Sequence, residues 1–369
     1  MPTIFVKDDL RASVEAATGG KVTVLYTATG QPSYMNIIPK FNLQDIDPGL
    51  GTGVHPAFIV NGVEKSELFV GTYQAILKNS ELLSLPGVDP TCTKTFDFFV
   101  DTARANGPGW HCITSVEFAA IALWCWRNGF MPNGNTDSGR SSDATWETGR
   151  RVDGGTPGDA SAGLARTLTG SGPVSWRHDN SAAGIADLCG NAWEWTPGLR
   201  IVGGEIQVTA NNDAALMASA SFGATSAAWK AIDGETGALI TPAFSGSIAG
   251  GDYAPATAKS VRYNTSGADN YTLVRQYARS FEDMTNPGAK PVADAALKVL
   301  KSYGLYPVAS SGLGGDAIWT LDLAGERLAA RGGSSYSGDA ERNGVFALSL
   351  NNTRTGTPSS NCARPAFVL

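Results

Sequence analysis

Apolar residues recur along the chain with strand spacing in some stretches and helix spacing in others. Val22–Tyr26 predicts a short strand within residues 1–50, which we interpret as an N-terminal attachment segment. From His55 onward the pattern predicts a strand, a turn at Asn61-Gly62 and a helix from about Ser66.

The clearest predicted helix follows Trp110–Cys112. Thr114 and Glu117 have the spacing of a capping box, in which side chain and backbone satisfy each other's open hydrogen-bonding groups. Apolar residues then cover two neighbouring faces until Asn128-Gly129, where the helix should end. We therefore expect this helix to be buried on most sides.

Two longer stretches have a different character. Residues 131–175 are polar and rich in Gly, Ser and Asp, and loops of this length are uncommon unless they are functional or pinned to the surface. Residues 199–285 are predicted to be β-rich from the alternation in Arg200–Val208, and we interpret them as an insertion. A second helix is predicted from Pro291 to a stop at Gly304.

The segment that begins at Arg331 contains two kinds of position. Apolar residues are spaced like strands at 345–350 and 363–369, and small, polar or tyrosyl residues lie between them. We expect the apolar residues to pack inside and the polar residues to face solvent. Such a composition is typical of binding loops that combine amphipathic aromatics with adaptable hydrogen bonds, although composition alone would favour a polar loop without a role. The candidate ligand-binding residues are Ser335, Tyr336, Ser337, Asp339, Glu341, Arg342, Asn343, Thr355, Thr357, Ser359, Ser360 and Asn361.

Composition and charge narrow the classes of function. Hydrophobic residues make up 42% and charged residues 17% of the 369 positions, and 44 Gly indicate many loops and short strands. A net charge of −6 offers no electrostatic footprint for nucleic acid or an anionic membrane. The chain has no apolar run of membrane-spanning length, and acidic residues near its start argue against a secretory signal, so we expect synthesis in a cytoplasm without export by that route.

Four landmarks resemble the formylglycine-generating-enzyme branch of C-type-lectin folds. They are His55–Tyr73, Trp110–Asn128, the Gly-Asn-x-Trp-Glu-Trp box at Gly190–Trp195, and the Arg-Gly-Gly-Ser box at Arg331–Ser334 with Arg364 beyond it. The resemblance implies a mixed α+β fold of that kind, formed by residues 51–369 around the β-rich insertion. We expect Trp193 and Trp195 to be core scaffold rather than contact residues.

A narrower resemblance is to proteins diversified by retroelements, among them phage receptor binders similar to the major tropism determinant. It rests on Arg331–Gly333, Gly344–Leu348, Leu350–Asn352 and Arg364–Ala366. This resemblance implies that about 331–366 is a variable binding region on a fixed scaffold. It further implies a virion protein, at a tail-fibre tip, that binds a host-cell surface protein or glycan. Other tail proteins would bind the N-terminal segment, and a homo-oligomer is compatible with this interpretation.

The residues do not support catalysis by the family's routes. Formylglycine-generating enzymes place two reactive cysteines shortly after the Gly-Gly-Ser box, whereas Ser334–Leu350 contains no Cys. The chain has three His, without paired spacing on a helix, and we interpret His111 and His178 as packed residues rather than acid–base groups. We therefore predict a non-enzymatic protein. An oxidase with an unrecognised active site and a diversified bacterial surface lectin are the alternatives.

The resemblance also implies a calcium site. Its ligands would be the side-chain oxygens of Asp187 and Glu194 and the backbone carbonyls of Gly190 and Ala192, since oxygen ligands on one loop suit a hard cation. The alternative is that Glu194 accepts hydrogen bonds from the protein itself. No other cofactor is expected, and the five Cys are interpreted as free thiols.

Overall fold

The computed structural model describes residues 8–161, 163–247, 254–267, 269–275, 280–320, 323–335 and 343–369. In this part of the chain the fold is mixed α+β, as predicted, with open sheets. The helices are α1 (Asp9–Thr18), α2 (Leu43–Ile46), α3 (Phe96–Ala105), α4 (Ser115–Arg127) and α5 (Asp294–Ser302). The strands are β1 (Val22–Tyr26), β2 (Pro32–Pro39), β3 (Ile59–Val60), β4 (Val63–Glu64), β5 (Glu67–Gly71), β6 (Ala75–Lys78), β7 (Glu81–Ser84), β8 (Trp110–Cys112), β9 (Trp193–Val202), β10 (Glu205–Val208), β11 (Lys230–Ile232), β12 (Leu239–Ile240), β13 (Phe244–Ser245), β14 (Ala254–Pro255), β15 (Arg262–Asn264), β16 (Thr272–Val274), β17 (Ile318–Trp319), β18 (Glu326–Gly332), β19 (Gly344–Asn352), β20 (Asn361–Cys362) and β21 (Pro365–Phe367).

A five-stranded antiparallel sheet joins the two ends of the chain. Its order is β1-β2-β5-β21-β8, so β21, near the C-terminus, lies between β5 and β8. Strand β1 has the predicted bounds, and β1 and β2 place residues 22–39 within this sheet. An attachment role for residues 1–50 stays a prediction.

The helix expected from about Ser66 is wrong, because Glu67–Gly71 is the strand β5. Leu68, Phe69 and Val70 are all buried, and the strand has partners on both edges. A strand covered on both faces has no polar alternation to distinguish it from a buried helix. The turn at Asn61-Gly62 is confirmed, since both residues have positive φ between β3 and β4.

The second sheet carries the C-terminal segment. Its main path is β12-β11-β10-β9-β18-β19-β17, with β20 parallel to the start of β9. The apolar stretch predicted to form a strand at 345–350 is β19, and each of these six residues is buried. The predicted β-rich character of 199–285 is confirmed by β10 to β16. The first residues of this stretch complete β9, so it extends the second sheet rather than starting a separate one, and its interpretation as an insertion stays a prediction.

Helix α4 supports this sheet from one side. Thr114 and Glu117 form the predicted capping box, and Asn128 caps the end before Gly129 at φ 68°. The helix contacts β9, β18, β19 and α5, which accounts for its burial on most sides. Helix α5 begins at Asp294, later than the predicted Pro291, and Gly304 follows it at φ 62°. Among the residues described, no helix combines the length and apolar character needed to cross a bilayer.

Candidate functional site

The frame of the candidate site is a buried ion pair. The Arg364 guanidinium donates from Nε to Glu194 Oε2 at 2.9 Å and from Nη2 to Glu194 Oε1 at 2.5 Å. It also donates to the carbonyls of Gly71 and Ala186, each at 2.9 Å. Both side chains are inaccessible to solvent, so the pair joins the end of the chain to β9 and to the five-stranded sheet.

Arg331, the first residue of the Arg-Gly-Gly-Ser box, joins β18 to the two helices behind it. Its Nε donates to Ser115 Oγ at 3.0 Å, and its Nη2 donates to the carbonyl oxygens of Tyr303 and Gly304. Burial lowers the pKa of Arg331 to about 10. The first side chain of the box is therefore buried and hydrogen-bonded within the protein, so it is not available to a ligand.

Two glycines follow Arg331 in backbone conformations with positive φ. Gly332 and Gly333 have φ of 95° and 96°, a region that disfavours residues with a Cβ. A Cβ on Gly333 would lie 2.1 Å from Asn343 Oδ1, and that same oxygen accepts from Ser334 N at 2.8 Å. Residues 333–334 thus pack directly on Asn343 at the start of β19.

Asn191, in the Gly-Asn-x-Trp-Glu-Trp box, holds the long polar stretch against the site. Its Oδ1 accepts from Thr167 N at 2.7 Å, and its Nδ2 donates to Gln74 Oε1 at 2.9 Å. Asn135 Nδ2 also donates to Asn191 Oδ1 at 3.2 Å. The polar stretch 131–175 is therefore attached to the core by a buried amide at Asn135 and Thr167.

A depression of about 290 Å³ opens beside this frame, and we name it the Trp193–Trp319 depression after the two indoles that line it. Most of its wall comes from the C-terminal segment. The remaining described lining residues are Ser334, Asn343, Ser349, Asn351, Asn352, Pro358, Ser360 and Asn361.

The predicted ligand-binding residues divide into four groups. Asn343, Ser360 and Asn361 line the depression, and Thr355, Thr357 and Ser359 are exposed on the loop between β19 and β20. Ser335 is buried, and its backbone bonds Asn191 and Ser138 rather than facing the depression. Tyr336, Ser337, Asp339, Glu341 and Arg342 lie outside the described residues.

The expectation that the polar positions face solvent is wrong for Ser335, Asn343 and Asn361, whose exposed fractions are 1%, 6% and 2%. Each lies at a strand end or beside the glycine turn, where backbone groups of neighbouring segments cover it. Polar character alone cannot distinguish a loop tip from the covered end of a strand.

Sequence reasoning also missed part of the depression. Trp193 was expected to be core scaffold, but it is half-buried and lines the depression, and Trp319 received no role. Ser349 and Asn351 alternate with the buried Leu348 and Leu350 along β19, and this period of two was an available signal. Nothing near Trp319 in the sequence points to the site, because it reaches the depression through pairing of β17 with β19.

The four residues proposed for calcium lie within one short stretch of the chain, and protein groups hydrogen-bond the proposed ligand atoms of three of them. Glu194 has Arg364 on both carboxylate oxygens, and the Ala192 carbonyl accepts from Gln74 Nε2 at 2.8 Å. Asp187 Oδ2 accepts from Gly170 N at 2.8 Å, and burial raises the pKa of this carboxyl. Within the described ranges, no group of three or more His, Cys, Asp and Glu side chains has a metal-binding arrangement. Calcium at Asp187, Gly190, Ala192 and Glu194 stays a prediction of the resemblance alone.

The histidines and thiols have structural surroundings. Burial lowers the pKa of His55 to about 3 and that of His178 to about 4, so both rings are neutral near pH 7. Cys92 is half-buried, and its hydrogen bond with the Cys362 thiol lowers its pKa. All five thiols are free, as predicted.

Comparison with known proteins assigns no family and no function to this site. No protein-family model matches the chain, and no curated protein matches it significantly.

Proposed function

We propose that the chain is a non-enzymatic binding protein that presents the Trp193–Trp319 depression and the 353–360 loop to a host-cell surface molecule. The fold proposed for it is the C-type-lectin fold of the formylglycine-generating-enzyme kind. The support for this fold is the order of the sequence boxes, together with the buried roles of Arg331 and Arg364 in them.

One observation carries the proposal: the polar surface of the C-terminal segment lies directly on a buried frame. Residues 344–350 of β19 are buried, whereas Asn351 and Asn352 and the loop that follows reach the surface. A frame held by buried strands keeps the binding loops ordered before a partner arrives. Less ordering entropy is then lost on association, and side-chain identity decides the affinity.

The tail-fibre location and the diversification of residues 331–366 draw their support from the sequence resemblance alone. On this proposal the N-terminal segment attaches the protein to other tail proteins, and the exposed face binds the host. A near-copy of the coding segment for 331–366, found beside a reverse-transcriptase gene in the genome, would support the diversification of this segment.

Binding to cells tests the proposal. Thr357→Arg places a long charged side chain on the exposed loop, and we expect it to reduce adsorption of the labelled protein to a panel of bacterial strains at least tenfold. Its melting temperature should stay close to that of the parent, because exposed positions usually change stability by no more than about 0.5 kcal/mol. Thr52→Arg, at an exposed position outside the C-terminal segment, is the matched control.

Two results would contradict the proposal. The first is adsorption that is unchanged by arginine at Thr355, Thr357 and Ser359 in turn. The second is formation of formylglycine from a Cys-containing sulfatase peptide, with or without added copper, which would support the oxidase alternative instead.

A further inference from the structure

The described lining residues of the Trp193–Trp319 depression are mostly polar and carry no charge. Their side chains supply hydroxyls from three serines and amides from four asparagines, and none is acidic or basic. A primary amide both donates and accepts hydrogen bonds, as a hydroxyl group does. The lining therefore matches a ligand that carries many neutral donors and acceptors.

The two indoles add apolar surface to this polar lining. Trp193 and Trp319 are both half-buried, so each leaves part of its ring on the depression. They belong to β9 and β17, between which the sheet places β18 and β19. At the usual spacing between strands, the backbones of β9 and β17 are about 14 Å apart, which favours an elongated ligand. A ligand that contacts both indoles also needs apolar patches among its polar groups.

One buried donor at this surface has no partner among the residues that the structure describes. Asn361 is 2% exposed and lines the depression, and its Nδ2 makes no hydrogen bond to any of these residues. From the same residues, its Oδ1 accepts a long bond of 3.4 Å from Ser360 Oγ. Buried amides are normally satisfied, so an unpartnered Nδ2 beside a depression points to an acceptor supplied from outside.

We propose that the Trp193–Trp319 depression binds an uncharged oligosaccharide. This inference rests on the proposed function and names the class of ligand. Sugar rings carry hydroxyls around their edge and C–H groups on their faces, so one chain of rings can bond the asparagines and stack on both indoles. Asn361 Nδ2 donates to a hydroxyl oxygen of the ligand.

Other ligand classes fit this lining less well. An anionic ligand would find no cationic side chain among the described lining residues. A cationic ligand would likewise find no carboxylate among them. Protein ligands usually bind through aromatic or arginine side chains that fill desolvated pockets. A surface lined by asparagine amides is poorly suited to bury such side chains. A protein ligand is therefore an outcome of the test rather than part of the proposal.

The test applies the full-length protein to an array of neutral, sialylated and phosphorylated glycans. We expect binding to neutral oligosaccharides, about tenfold weaker in Trp319→Ala and in Asn361→Ala. Trp193→Phe retains an aromatic ring and provides a second variant of the indole wall if an alanine variant fails to fold. Trp146→Ala is the matched control, because Trp146 is 80% exposed and does not line the depression.

The outcomes separate this inference from the proposed function. Binding only to charged glycans, binding to none, or equal binding by all variants would overturn the oligosaccharide assignment. If the array is negative while Thr357→Arg still abolishes adsorption to cells, the receptor is of another class, such as a protein, and the proposed function stands. Neutral-glycan binding without any cell adsorption would contradict the proposed function instead.

Discussion

Gly333 shows how one residue shapes the candidate surface. Its positive φ turns the chain after β18, and its missing Cβ lets Asn343 pack against the backbone. The Arg-Gly-Gly-Ser box therefore needs this glycine for conformation and for space together. Either requirement alone would be a weaker constraint on the residue type.

Gly333→Ala should destabilise the protein by about 2–5 kcal/mol. About 1–2 kcal/mol comes from the left-handed backbone and the rest from overpacking against Asn343. Gly312→Ala is the matched control, since Gly312 also has positive φ (83°) but a Cβ there would contact nothing within 4 Å. Urea unfolding of both variants checks this expectation, and equal losses would show that the contact with Asn343 contributes nothing.

His55 couples the fold to pH. Its Nδ1 accepts from Ala57 N at 3.2 Å and its Nε2 donates to the Ser302 carbonyl at 2.9 Å, so only the neutral ring satisfies both bonds. Burial lowers its folded pKa to about 3, below the unfolded value of about 6.5. The stability it contributes is therefore complete above about pH 6.5 and is lost as the pH falls toward 3.

We expect His55→Asn to flatten this pH dependence by about 1.4 kcal/mol per pH unit below pH 6.5, which is the contribution of one proton. Asparagine retains an acceptor for Ala57 N, so the slope can be measured on a folded variant. The measurement is the free energy of unfolding in urea at several pH values between about 7.5 and 5. Parallel curves for parent and variant would exclude His55 as the source of acid sensitivity.

At the scale of elements, β9 connects the core to the depression. Trp195 is fully buried, with its ring centroid 5.9 Å from that of Phe96 and its Nε1 donating to the Lys94 carbonyl at 3.3 Å. Two residues earlier, Trp193 is half-buried at the margin of the same cluster and lines the depression. One strand therefore supplies a scaffold tryptophan and a surface tryptophan.

The two tryptophans should respond differently to removal. Trp195→Ala should cost about 3–5 kcal/mol, as for large aromatics taken from cores. Trp193→Ala should cost less, about 1–2 kcal/mol, because a half-buried ring loses fewer contacts. Thermal or urea unfolding of both variants measures these losses of stability. A larger loss in Trp193→Ala than in Trp195→Ala would show that Trp193 is part of the buried scaffold.

At the scale of the whole molecule, the five-stranded sheet makes both ends of the chain part of one structure. Strand β2 pairs with β5 over five positions, and β21 pairs with the other edge of β5. Arg364, immediately before β21, reaches Glu194 in the second sheet. The candidate surface is therefore supported by strands drawn from the beginning, middle and end of the sequence.

Truncation tests this arrangement. A variant lacking residues 1–40 should lose cooperative unfolding or solubility, because it leaves the apolar edge of β5 unpaired. A variant lacking residues 1–18 is the control, since α1 has no fully buried residue and β1 and β2 are retained. If the longer truncation unfolds as cooperatively as the parent, β1 and β2 are an addition to the fold and not a part of its core.

Features that depend on neighbours in sequence could be predicted from the chain alone. The capping box of α4, the Asn61-Gly62 turn, strand β1 and the apolar strand β19 were predicted, because hydrogen bonds and side-chain periodicity within a few residues determine them. The C-terminal segment was also recognised as the source of a polar surface, since its apolar and polar positions separate clearly in the sequence.

The tertiary structure decided what depends on partners distant in sequence. Glu67–Gly71 is a strand because β2 and β21 pair with its two edges, and no local pattern contains those partners. The burial of Asn343 and Asn361, and the placement of Trp193 and Trp319 on one depression, likewise follow from strand pairing across the sheet. Sequence alone thus determined the polar character of the surface. Long-range pairing decided which of its side chains are exposed, because burial depends on what the rest of the chain packs against them.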